Sequence, residues 1–157
     1  MTLKVRFLSL IFLSFILAAC GFNLRGSIDA DFKSIAIYGG SEGMNKHLTK
    51  IFKQNGIKID LTNPEKTLEI LNDRLDKRIL SLSSSGSVKE YELIYNITYR
   101  YKSFNNEWSS EIKKEAVRDY TYDDDNRVAK ELEEKNLVQG MRDQLVRSIV
   151  SQITVTK

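Results

Sequence analysis

The sequence is poor in the residues that most often do chemistry. It has one cysteine, Cys20, and one histidine, His47, in 157 residues. A single cysteine cannot close an internal disulfide, so its thiol needs another explanation. His47 stands alone within a helical pattern and reads as a surface or boundary residue. The serines Ser83, Ser84 and Ser85 have no partner base and no G-x-S-x-G turn around them. Gly39-Gly40 and Ser41-Glu42-Gly43 are not followed by the G-K-[ST] that a phosphate-cradling loop requires. The chain thus lacks a catalytic constellation.

Charge of one sign is also missing. Lysine and arginine total 24 against 21 acidic residues. Lys4 and Arg6 precede the first hydrophobic run; without them 22 basic residues face 21 acidic ones. Nucleic-acid binding, which draws its affinity from phosphate neutralisation, loses its electrostatic basis. No hydrophobic run is long enough to span a bilayer comfortably. The best, Phe7 to Leu17, is broken by Ser9 and Ser14 and falls short of the roughly 20 residues a spanning helix needs. There is no internal repeat and no low-complexity linker beyond one serine cluster.

What is present begins at that run. Lys4 and Arg6 form a positive n-region, Phe7 to Leu17 an apolar h-region, and the small residues Ala18 and Ala19 precede Cys20. This is the layout of a secretory signal peptide. Leu17-Ala18-Ala19-Cys20 matches the bacterial lipobox, in which the Cys20 sulfur takes a diacylglycerol and cleavage frees its amine for a further acyl chain. The expectation is a lipoprotein signal peptide over 1–19 and a single domain over 20–157, held to a membrane by acyl chains on Cys20. Each buried CH₂ contributes about 0.8 kcal/mol, so several chains anchor stably. Gly21, in place of an aspartate, fits export to the outer membrane.

Over the whole chain the composition is that of an ordinary folded protein, 41% hydrophobic and 29% charged. Ser34 to Tyr38 predicts a strand ending at the Gly39-Gly40 turn. Met44, Leu48, Ile51 and Phe52 recur at helical spacing up to Gln54, and Asn55-Gly56 supplies a stop. Ile57, Ile59 and Leu61 alternate before Asn63-Pro64, as in a short strand. Lys66 to Leu82 is ambiguous: Leu68, Leu71, Leu75 and Ile79 fit a helical stripe, while Leu71, Leu75 and Ile79 share strand parity. Tyr91, Leu93, Tyr95, Ile97, Tyr99 and Tyr101 then hold strict period two, the signature of a long half-buried strand. After Asn105-Asn106, Ile112, Ala116, Tyr120 and Tyr122 continue as its hairpin partner.

Asp123-Asp124-Asp125-Asn126 precedes a long helical pattern through Val128, Leu132, Val138, Met141, Leu145, Ile149 and Ile153. The acidic run reads as a helix cap. It lacks the alternating aspartates and turn glycine of a calcium loop, so no metal and no cofactor is expected. Ser83, Ser84, Ser85, Gly86 and Ser87 interrupt two β-like segments and read as a loop or hairpin tip. The Asn96-Ile97-Thr98 glycosylation pattern falls mid-strand and is set aside. The order of elements favours an α+β fold, two helices packed on one face of a mostly antiparallel sheet.

Cys20-Gly21-Phe22-Asn23-Leu24-Arg25-Gly26, directly after a lipobox, resembles the mature start of the LPS-assembly lipoprotein family LptE. Gly86-Ser87-Val88-Lys89-Glu90-Tyr91-Glu92-Leu93 and the acidic turn followed by Ala129-Lys130-Glu131 and an amphipathic helix resemble the same family. The resemblance spans the whole chain. It implies a four-stranded sheet, with Lys66 to Leu82 as a strand. It also implies a partner, the outer-membrane β-barrel LptD, which the lipoprotein plugs and helps assemble, and a ligand, lipopolysaccharide, delivered to the outer leaflet. No reaction and no cofactor are implied. A family lysine at the start of the last helix is matched by Lys130. The basic residue proposed near the hairpin tip is replaced here by Ser84, with Lys89 the nearest substitute. Two rival functions stand beside this one: a non-catalytic scaffolding or ligand-binding envelope lipoprotein without a barrel partner, and a small envelope hydrolase, which lacks a nucleophile–base pair.

Overall fold

A computed structural model describes residues 30–104 and 106–155. The expected signal peptide over 1–19, Cys20, the segment Phe22 to Arg25 and Asn105 lie outside the described residues. The elements run β1 (Ser34–Gly39), α1 (Glu42–Gln54), β2 (Lys58–Ile59), β3 (Lys66–Leu82), β4 (Val88–Ser103), β5 (Ile112–Thr121) and α2 (Arg127–Val155).

The sheet has five strands in the order β2-β1-β3-β4-β5. This corrects the expected four. β3, β4 and β5 form an antiparallel meander, whereas β1 runs parallel to both β2 and β3. The parallel pairing follows from α1, because parallel neighbours need a crossover and a helix supplies it. β2 is only two residues long. Asp60 ends it by accepting hydrogen bonds from the Thr62 and Asn63 amides at 3.0 and 3.2 Å. Leu61, expected on the strand's apolar side, is exposed.

Both helices cover one face. Met44, Leu48 and Phe52 of α1 and Met141, Leu145, Val146, Ile149, Val150 and Ile153 of α2 join Leu68, Ile70, Leu93, Tyr95, Ile97 and Tyr99 in one core. The odd residues of β4 point inward as the period-two pattern requires. Burial pushes the Tyr99 hydroxyl up to about 12, and that hydroxyl donates to Gln152 Oε1 at 3.0 Å. α1 starts at Ser41, whose Oγ accepts from the Met44 amide. The acidic run forms a 3-10 turn, Asp124–Asn126, that leads into α2: Asp123 caps this turn, accepting from the Asp125 amide at 3.1 Å, and hydrogen bonds from Asn126 and then from that amide hold its carboxyl below its ordinary value.

Lys66 to Leu82 is a strand, and its ambiguity has a cause. Ile70 faces Tyr99, but Asn72 faces Thr98, so Leu71 is an extra residue in the ladder. Before this bulge the even residues Leu68 and Ile70 face the core. After it the odd residues Asp73, Leu75, Lys77 and Ile79 take that face, opposite Ile97, Tyr95, Leu93 and Tyr91. The Gly39-Gly40 turn is also strictly needed. Gly39 has φ +69°, and a Cβ there would lie 2.1 Å from the Ile70 carbonyl oxygen.

Candidate functional site

The long β3–β4 hairpin gives the molecule two ends. At one end are the strand starts of β1 and β3 and the end of β4; at the other is the tip Ser83–Ser87. At the tip, the Ser83 amide donates to the Ser87 carbonyl at 2.8 Å and the Gly86 amide to the Ser83 carbonyl at 3.0 Å. Ser83 Oγ accepts from the Ser87 amide and meets Ser85 Oγ at 2.9 Å. Gly86, at φ +84°, supplies the left-handed residue of this turn. Ser84, Ser85, Gly86 and Ser87 are exposed. The serines are thus spent largely on holding the turn, and no base or carboxylate adjoins them in these bonds.

Lys89 and Lys130 belong to the same end. The Lys89 carbonyl accepts from the Tyr122 amide at 2.8 Å, and its side chain is exposed. Lys130 Nζ donates to Thr121 Oγ1 at 3.1 Å and to Glu133 at 2.9 Å. Lys130 therefore bolts the first turns of α2 to the end of β5, with only 19% of its side chain exposed. Lys89 is the more available cation of the two.

Sequence reasoning did not single out the cluster between tip and core. Lys77 Nζ lies 2.7 Å from Glu134 Oε2 and 4.1 Å from the Tyr91 ring centroid. The Tyr120 hydroxyl donates to the same Glu134 oxygen at 2.6 Å, and Tyr91 packs edge-on against Tyr122 at 5.2 Å. Burial opposes the charge on Lys77, but Glu134 and Tyr120 more than offset it and raise its pKa. Burial and the hydrogen bond to Glu134 raise the Tyr120 hydroxyl to about 12. No sequence signal marked Lys77, because its partners arrive from β4, β5 and α2.

Several aliphatic side chains in this half of the molecule are exposed. Leu75, Ile79, Leu80 and Leu82 of β3 are 40–57% exposed, and Val128 and Leu132 of α2 are 79% and 60% exposed. The last two belong to the apolar pattern read for the last helix but are not buried. They line instead an open groove along the start of α2 with Asp124 and Lys135. Among the described residues, no group of three or more His, Cys, Asp or Glu side chains could hold a metal ion. His47 bridges the helices, its Nε2 2.9 Å from Asp143.

Residues 32–153 match the LptE family, described as lipopolysaccharide-assembly. The chain belongs to the LptE family. No protein of curated function matches it in sequence. Among solved structures, lipoprotein B from Nitrosomonas europaea is 28% identical, with a TM-score of 0.72 over 85% of this chain and 90% of that one. Rare lipoprotein B from Shewanella oneidensis is 27% identical, with a TM-score of 0.67 over 76% and 92%. A minor lipoprotein from Acinetobacter baumannii, 18% identical, shares the fold at a TM-score of 0.65 over 80% and 92%. The LptE assignment supports a role in lipopolysaccharide assembly, and the relatives support a lipoprotein nature.

Proposed function

We propose that this LptE-family chain is an outer-membrane lipoprotein, acylated at Cys20, that plugs and helps assemble an LptD-type β-barrel. Through that barrel it assists delivery of lipopolysaccharide to the outer leaflet. Its contribution is a binding surface, and it catalyses no reaction.

The observation that carries this reading is the set of exposed aliphatic side chains in the tip half, with Leu75, Ile79, Leu80, Leu82, Val128 and Leu132 all open to solvent. Exposed aliphatic side chains gathered in one region mark an interaction surface far more often than an idle one. A closed barrel lumen is a partner of fitting shape, because a narrow hairpin can enter it end first. The tip Ser83–Ser87 is then the leading part of the plug. Lys89 and Lys130, at the same end, are the candidate contacts for the anionic head group of lipopolysaccharide. Lys89 offers its charge freely, and Lys130 offers what its bonds to Thr121 and Glu133 leave over.

Photocrosslinking in living cells tests this. A photoreactive residue at Ile79 or Ser84 is expected to capture a large outer-membrane barrel protein. Capture of soluble periplasmic proteins alone from both positions would favour the envelope-scaffold reading instead.

A further inference from the structure

The end of the sheet where the chain enters the fold carries aromatic and basic side chains that internal packing leaves open. The Lys33 amide donates to Glu65 Oε2 at 2.9 Å, and the Phe104 amide donates to the Glu65 carbonyl at 2.7 Å. Glu65 thus fixes the chain entry beside the end of β4. The Phe104 side chain is nonetheless 61% exposed.

Trp108 follows on the outer face of the sheet, away from the helices. The Ser109 amide donates to the Tyr101 carbonyl at 2.8 Å, and Ser109 Oγ accepts from the Tyr101 amide at 3.1 Å. This pairing lays the half-buried Trp108 over the even residues of β4. The Arg100 guanidinium carbon lies 4.5 Å and Lys102 Nζ 4.9 Å from the indole centroid. Arg100 also pairs with Glu69 at 2.6 Å. Lys102 makes no ion pair with a carboxylate among the described residues.

An exposed phenyl ring, a half-buried indole and an ammonium without a counter-charge make up the composition of a bilayer interface. There, amphipathic rings sit at head-group level and lysine reaches phosphate. The tether says which bilayer. Nine residues lie between Cys20 and Ala30, a span of at most about 35 Å over ten Cα steps. The 16 residues of β4 put the hairpin tip about 50 Å beyond this end. An acyl anchor on Cys20 therefore holds the entry end, and not the tip, against its own leaflet.

We propose that Phe104, Trp108 and Lys102 rest on the phospholipid surface of the leaflet that holds the Cys20 acyl chains. Phe104 reaches the acyl boundary, Trp108 lies at the head groups and Lys102 meets phosphate oxygens. Glu107 is exposed in the same connection and opposes anionic lipid, so the phenyl ring supplies most of the contact and Lys102 orients it. The inference rests on the acyl anchor proposed above. It adds a second, protein-borne contact that fixes the tilt of the domain.

Trp108 is the only tryptophan in the chain, so it reports the contact directly. The mature protein is purified from membranes, its mass is measured, and it is reconstituted into phosphatidylethanolamine–phosphatidylglycerol vesicles. The expected result is an acylated mass, Trp108 emission shifted to the blue relative to detergent-free aqueous emission, and quenching by lipids brominated along their acyl chains. Phe104→Ser is expected to abolish the bromolipid quenching while Phe104→Leu keeps it. Lys102→Glu should shift the contact equilibrium against the membrane by about fivefold or more. An acylated protein whose Trp108 is quenched by aqueous acrylamide and untouched by bromolipid would overturn the inference and leave the barrel reading standing. An unacylated mass would remove the anchor, and the inference with it.

Discussion

Lys77 on β3 and Glu134 on α2 meet at 2.7 Å, on the helix-covered face of the sheet just where the hairpin begins to outrun the core. The pair ties the projecting half of the hairpin to the projecting half of α2. Both side chains are partly open, at 35% and 27%, so the pair is worth less than a fully buried one.

A double-mutant cycle with Lys77→Met and Glu134→Gln should give a coupling of about 1 kcal/mol, read by denaturant unfolding at neutral pH. The acid side gives a second reading. Burial pushes the Glu134 carboxyl up, but hydrogen bonds from Lys77 and Tyr120 outweigh it and hold it below its ordinary value of 4.5. A depressed folded value means that the stabilisation is present in full above the unfolded value and is lost as pH falls through the folded one. Glu134→Gln should therefore flatten the loss of stability below pH 4.5.

Gly39→Ala separates strain from collision. Gly39 and Gly56 share a left-handed backbone, but a Cβ at Gly56 meets nothing within 4 Å while one at Gly39 meets the Ile70 carbonyl oxygen at 2.1 Å. Gly56→Ala should cost about 1 kcal/mol from backbone strain alone. Gly39→Ala should cost at least 2 kcal/mol more, by about the margin expected when β1 must part from β3. Equal unfolding midpoints for the two variants would show that the close approach is relieved at little cost.

Lys66 is buried at the entry end, with its ammonium 2.9 Å from the Ile153 carbonyl and 3.0 Å from Asp31. It satisfies a late carbonyl of α2 and complements the negative end of that helix. Lys66→Met keeps the volume and loses those bonds, so it should cost about 2 kcal/mol, with the largest loss of amide protection in the last turns of α2. Hydrogen exchange locates the effect.

The two tip-end lysines should separate in function. Lys89→Glu is expected to weaken lipopolysaccharide binding in a salt-sensitive way with no change in stability, as befits an exposed charge. Lys130→Glu should weaken binding and also lower the unfolding midpoint, because it breaks the bonds to Thr121 and Glu133. Titration of both variants at low salt, beside thermal melts, distinguishes the roles. Unchanged affinity in both would remove these lysines from the ligand site.

Much of the fold is legible in the residues. The tyrosines of β4 keep one parity from Tyr91 to Tyr101, so periodicity reports the core face. Asn55-Gly56 and the acidic run from Asp123 mark where helical structure stops and starts through local bonds that need no tertiary knowledge. The segment Lys66 to Leu82 resisted because the bulge at Leu71 switches which parity faces the core, and no single period survives that switch. Val128 and Leu132 read as part of the α2 stripe, but the six-residue step from Leu132 to Val138 breaks its phase, so they turn away from the side on which Lys130 and Glu134 meet the sheet. β1's parallel neighbours were hidden for a related reason: two residues of β2 carry no pattern. The cluster of Lys77, Tyr91, Tyr120 and Glu134 draws on four elements, so only the assembled fold could show it.

The central claim is that this LptE-family domain works by offering its surface to a large barrel. Affinity isolation of the chain from detergent-extracted outer membranes, under conditions that keep integral proteins folded, measures this most directly. The expected product is a stoichiometric complex with an LptD-type β-barrel that survives when Cys20→Ala removes the acyl chains and is weakened by Ile79→Asp. Recovery of the acylated chain from the membrane with no barrel protein bound would contradict the account.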